Sequence, residues 1–151
     1  MNRKLIWLGM FAMLSLFVSS QLFSQEDDIK KRKGLMKSNN KSAKAIKGAV
    51  KEGDFATIEQ NAKKIVANAG NIVAFFSGGS TAKNSRAKAE IWREWDDFKA
   101  KANHLKDTAG QLVSAANAKD SEQVQVQYKT VGAACSACHK RYRARKKKRR
   151  K

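Results

Sequence analysis

Between residues 26 and 143 apolar side chains recur at every third or fourth position in four runs, and no stretch alternates at period two for long enough to make a strand. Proline is absent, so nothing inside a run removes a helical hydrogen bond. The first run spans about Glu26 to Glu52, with Ile29, Met36, Ala43 and Val50 at heptad spacing and Ile46 filling the same stripe. Asp27 and Asp28 suit the positive end of its dipole. Gly53 closes it and Asp54 is placed to cap the next helix. The second run spans about Phe55 to Phe76, with Ile58, Ala62, Ile65, Ala69, Ile72 and Phe76 on one face. Ser77 to Arg86 then reads as a loop. The third run spans about Ala87 to Ala118, through Ile91, Trp95, Phe98, Ala102, Leu105, Ala109, Leu112 and Ala116. Asp120, with Gln123 three residues on, opens a fourth run that ends near Arg143 and carries Val124, Tyr128, Val131, Cys138 and Tyr142.

A chain of 151 residues is long enough to bury a core as one domain. Four apolar stripes joined mostly by short breaks can be buried only against one another. The expected fold is therefore all-α, an antiparallel four-helix bundle.

The first 24 residues stand outside that bundle. Asn2-Arg3-Lys4 is a short basic start, Leu5 to Val18 is an apolar run, and Ser19 to Ser24 is mostly small and polar. This is the layout of a secretory signal peptide, with cleavage expected after Ser24 or, failing that, after Ser20. The apolar run is short for a membrane span; an uncleaved N-terminal anchor is the alternative. The protein is therefore expected to be exported. The net charge is +19, and ten of the basic residues fall within Lys140 to Lys151. Residues 144–151 read as a solvated basic tail. Such a tail can dock on an anionic membrane surface, steer the protein to an acidic protein partner, or have no partner at all. Nucleic acid would attract the same charge, but export argues against it.

The chemistry concentrates in "CSACH", Cys135 to His139, which holds both cysteines of the chain. In an exported protein two thiols ordinarily become a disulfide. A bond between Cys135 and Cys138 would close a very small loop and constrain little of the unfolded chain. Cys-x-x-Cys-His is instead the attachment pattern of c-type haem. Thiols three apart share one helix face and can add to the two vinyl groups of one porphyrin. His139 then supplies the proximal axial nitrogen. Three alternatives stand beside this. A thioredoxin-like pair wants its first thiol at a helix N-terminus, and a zinc site wants a fourth ligand, for which only His104 is on offer. A chance match with inert thiols is the third. Met36 lies on the inward stripe of the first run, where a methionine is ordinarily gap-filler but where its thioether could take the distal axial position. No residues resemble a nucleophile with its base, so no enzyme is expected.

"RKGLM" (32–36), "FFSGGS" (75–80), "AEIW" (89–92) and "VGAACSACHKRYR" (131–143) together resemble the class II c-type cytochromes, the cytochrome c-prime family. The resemblance spans essentially the whole chain after the leader. It implies a four-helix bundle with one covalently attached haem c near the C-terminus. It also implies one of two uses. Where a leucine or similar residue stands at the position of Met36, the iron is five-coordinate and binds NO or CO. Where a methionine stands there, it ligates a low-spin iron, and "RKGLM" resembles that branch. Arg32 corresponds to an arginine near the haem propionates, Lys33 to a haem-contacting position often held by Gln, and Arg143 to a basic residue beside the proximal ligand. Ordinary surface charge is the alternative for all three. The function expected is thus a periplasmic monohaem cytochrome carrying single electrons between redox proteins, with a gas-binding protein as the alternative. Homodimers occur in the family, and one here would need an exposed stripe on the first two helices.

Overall fold

A computed structural model describes residues 3–76 and 85–145, with side chains from residue 26 onward. The side chains of the expected leader, residues 77–84 of the expected loop and the tail from residue 146 lie outside the described residues. Helix α1 spans Arg3–Glu52, α2 Phe55–Gly70, α3 Glu90–Arg93, α4 Trp95–Asn117 and α5 Ser121–Tyr142. No glycine or proline separates the leader from Glu26, and the helical backbone runs straight through the expected start.

Four helix ends are set by local chemistry. Gly53 adopts the left-handed conformation (φ 69°) at the end of α1, and Asp54 Oδ1 accepts from the Thr57 amide at 2.9 Å to begin α2. Asp120 Oδ1 caps α5 in the same way through the Gln123 amide, also at 2.9 Å. Helix α2 stops at Gly70, six residues before the expected end, where Asn71 turns its amide back to the Ala67 carbonyl (3.0 Å). A single 3-10 turn, Val73–Phe75, then keeps Ile72 and Phe76 in the core.

The expected third helix is broken at Glu94 (φ −119°, ψ 46°), which separates α3 from α4. Its carboxylate is held by Arg141 and by the Tyr142 hydroxyl from the end of α5. That tertiary clamp sits where the backbone leaves helical geometry. No propensity signal at Glu94 foreshadows it.

Packing runs α1 on α2, α2 on α4 and α4 on α5, with α1 against α5 the lightest contact. The arrangement is an antiparallel four-helix bundle. Ile46, Ile58, Ile65, Ile91, Leu112, Val124 and Val131 are its fully buried centre. Each contributes roughly 1.5–3 kcal/mol by leaving water. The stripe of α1 differs from the expected one. Ile29, Arg32, Leu35, Asn39, Ser42, Ile46 and Ala49 are buried, whereas Met36, Ala43 and Val50 are only half-buried. Three of the inward positions are polar, so hydrophobic periodicity alone centres the stripe on the wrong residues. Asn39 is accommodated by Asn68 of α2, whose amide donates to its carbonyl oxygen at 2.8 Å.

The last residues of α5 are zipped to the chain entering α3. Lys88 donates its amide to the Tyr142 carbonyl (3.0 Å) and Ala144 donates to the Arg86 carbonyl (2.8 Å), around an isolated antiparallel bridge between Ala87 and Arg143. This pins both segments at one end of the α1–α5 seam.

Candidate functional site

A cavity of about 280 Å³ opens at that seam. Helix α1 lines it with Arg32, Lys33 and Met36; the end of α5 lines it with Cys138, His139, Tyr142 and Arg143. Phe76, Ile91 and Phe98 form the apolar side, and Ser85 to Ala87 close the edge. Six of the seven expected site residues therefore meet at one cavity. The seventh, Cys135, lies one helical turn before Cys138, half-buried and packed against the core.

Cys135 and Cys138 are not joined in a disulfide. Burial pushes Cys135 above the ordinary thiol range and Cys138 up to about 11. A redox-active cysteine pair needs the opposite, a thiolate favoured by a helix N-terminus or by cations. Here the pair sits near the C-terminal end of α5, so the thioredoxin-like alternative loses its physical basis. The zinc alternative fails on geometry: His104 is exposed, and among the described residues no three His, Cys, Asp or Glu side chains are grouped to hold a metal.

His139 is half-buried, and burial, reinforced by Arg143 and Arg86, lowers its pKa. A neutral imidazole keeps a nitrogen lone pair for a metal. Arg32 is only 5% exposed. Its guanidinium lies 4.8 Å over the Phe76 ring and donates to Ser85 Oγ at 2.8 Å, while burial lowers its pKa. Lys33 and Arg143 are exposed at the rim. Among the described residues the cavity is thus lined by four cationic side chains (Arg32, Lys33, Arg86, Arg143) and no acidic one, which suits a ligand bearing carboxylates.

Sequence reasoning missed Arg86, Ser85 and the aromatic wall. Phe98 is the hub of that wall, edge-on to Phe76 (4.9 Å) and to Tyr142 (5.4 Å) and stacked on Trp95 (5.7 Å). Trp92 fixes the corner by donating its indole N–H to the Phe76 carbonyl at 2.9 Å. These residues carry ordinary core periodicity, and nothing in their spacing distinguishes a cavity wall from a closed core.

Paired thiols on one turn, a neutral histidine beside them and an aromatic-walled cleft with a cationic mouth fit a covalently attached, carboxylate-bearing macrocycle. The fold and cleft define a c-type cytochrome of the four-helix-bundle kind. Residues 27–143 match the family described as Cytochrome C', and the chain belongs to that family, which carries one covalently attached haem c per chain. It is 32% identical over 117 residues to a cytochrome c' of Rhodospirillum rubrum, covering 75% of this chain and 79% of that one. It is 36% identical over 123 residues to a cytochrome c-556 of Agrobacterium fabrum, covering 79% and 82%. A solved nitric oxide complex of a cytochrome c prime variant from Alcaligenes xylosoxidans superposes with a TM-score of 0.74 at 29% identity, over 81% of this chain and 97% of that one.

Proposed function

We propose that the protein is an exported, periplasmic monohaem cytochrome that carries single electrons, with Cys135 and Cys138 holding the haem, His139 as proximal ligand and Met36 as distal ligand. One observation carries this reading: Met36 from α1 and His139 from α5 line the same cavity, with Cys138 beside the histidine. The haem supplies an iron that changes oxidation state by one electron. The chain supplies the rest. The two cysteines make the cofactor permanent, and the wall of Phe76, Phe98 and Ile91 keeps water from one side. Arg32, held by Ser85 and Phe76, offers a fixed cation for a carboxylate. With both His139 and Met36 on the iron no position would be left for a substrate, which would favour electron transfer over ligand uptake. The basic tail draws acidic redox partners.

The nitric oxide complex of the Alcaligenes relative supports a second use for this fold, gas binding, which requires Met36 to be off the iron. Absorption spectroscopy separates the two. A methionine–iron charge-transfer band in the oxidised protein, with no uptake of CO by the reduced protein, is the expected result. High-spin iron that takes up CO readily overturns the distal assignment.

A further inference from the structure

The outer face of α1 is a continuous row of lysines. Lys30, Lys33, Lys37, Lys41, Lys44, Lys47 and Lys51 follow one another at three or four residues, and all seven are exposed. That spacing places them on one side of the helix, opposite the buried stripe through Leu35, Ser42 and Ala49. The row is about 30 Å long at the α-helical rise. From Ile29 to Lys51 the sequence holds nine basic residues and no acidic one. Among the described residues none of the seven forms an ion pair with an acid; the one lysine of this stretch that does, Lys31 with Asp27, lies off the row.

Charge kept unpaired at this density repels itself, and an external anionic surface relieves that repulsion. Three features identify that surface. The row keeps to one side of a single helix, so one plane beside α1 is within reach of every member through flexible lysine stems. It contains only lysines, point charges with no planar fork, and no aromatic or arginine anchor of the kind that centres a protein interface. It also continues some fifteen residues past Met36, far beyond the cavity mouth where an electron-transfer partner would have to dock. A second copy of the chain is a poor occupant, since a two-fold contact through this face sets lysine against lysine.

We infer that α1 lies along an anionic lipid bilayer, its lysine row on the headgroups and its cavity mouth, which Lys33 borders, held beside the membrane surface. This surface attachment does not depend on how the iron is ligated.

The test uses the haem-loaded full chain and sedimentation with vesicles of phosphatidylglycerol or of phosphatidylcholine. Binding to phosphatidylglycerol vesicles at low salt, weakened by added salt and absent with phosphatidylcholine, is expected. The triple variant Lys41→Gln, Lys44→Gln, Lys47→Gln lowers the partition coefficient by on the order of 100-fold, from about fivefold per lysine near an anionic surface. The control triple Lys64→Gln, Lys106→Gln, Lys129→Gln removes equal charge from exposed positions off the row and lowers it much less. Visible spectra and helical circular dichroism report whether each variant remains folded. Equal losses in the two triples, or no binding to phosphatidylglycerol, overturn the inference. It is also overturned if the row triple leaves vesicle binding intact and instead slows electron transfer to an acidic protein acceptor in solution.

Discussion

At position 36 a leucine and a methionine fill similar volumes, yet only the thioether offers iron a lone pair. Under the proposed ligation, Met36→Leu therefore changes chemistry more than packing. The methionine–iron band disappears, the reduced protein takes up CO, and the reduction potential falls, all measurable by spectroscopy and redox titration. The residue is half-buried, so stability changes by less than about 1.5 kcal/mol. Under the proposed attachment, replacing both Cys135 and Cys138 by Ala is expected to abolish haem staining on a denaturing gel, because only thioether-linked haem survives it. Arg32 could not be ranked from sequence, since lysines and arginines are abundant. Its burial against Phe76 and Ser85 separates it from the surface cations.

Helix ends were legible where a side chain competes locally for the backbone. Asp54 and Asp120 follow helix-ending breaks and cap as expected. Asp120→Ala is expected to cost about 1 kcal/mol, read as a lower urea midpoint with an unchanged visible spectrum. The break at Glu94 was not legible, because it is held from another helix. Arg141 holds the Glu94 carboxyl below the usual carboxylate range with help from Tyr142, and the Tyr142 hydroxyl donates to Asp97 and lowers it likewise. The sign follows from the direction. Folding favours both ionised forms, so their contribution is present above the unfolded-state value of about 4 and is lost as pH falls through the lower folded values. Asp97→Asn is thus less stable than the parent near neutral pH, and the difference shrinks in acid. Denaturant midpoints across that range check it.

Across the whole molecule, charge is the property that reaches furthest. A chain of net charge +19 meets acidic partners faster at low salt. Electron transfer to an acidic acceptor is expected to slow as salt is added. Removing residues 146–151 is expected to slow it at low salt and to flatten the salt dependence. The cut belongs after Arg145, because Ala144 is tied to Arg86 and contributes to closing the seam. The bundle beneath is expected to tolerate that cut, since its buried core runs from Ile29 to Tyr142. Ile58→Ala in that core, by contrast, is expected to cost about 2–5 kcal/mol.

The period of the apolar residues determined four helices, and the spacing of Cys135, Cys138 and His139 pointed to covalently attached haem, because both depend on neighbours a single turn away. Tertiary structure decided what depends on other helices. It placed Arg32, Asn39 and Ser42 inward, broke the backbone at Glu94, and left the α1–α5 seam open beside His139. A lone helix cannot specify which of its polar residues will find a partner, nor which apolar ones will face a cavity. Those outcomes are fixed only when the surfaces meet.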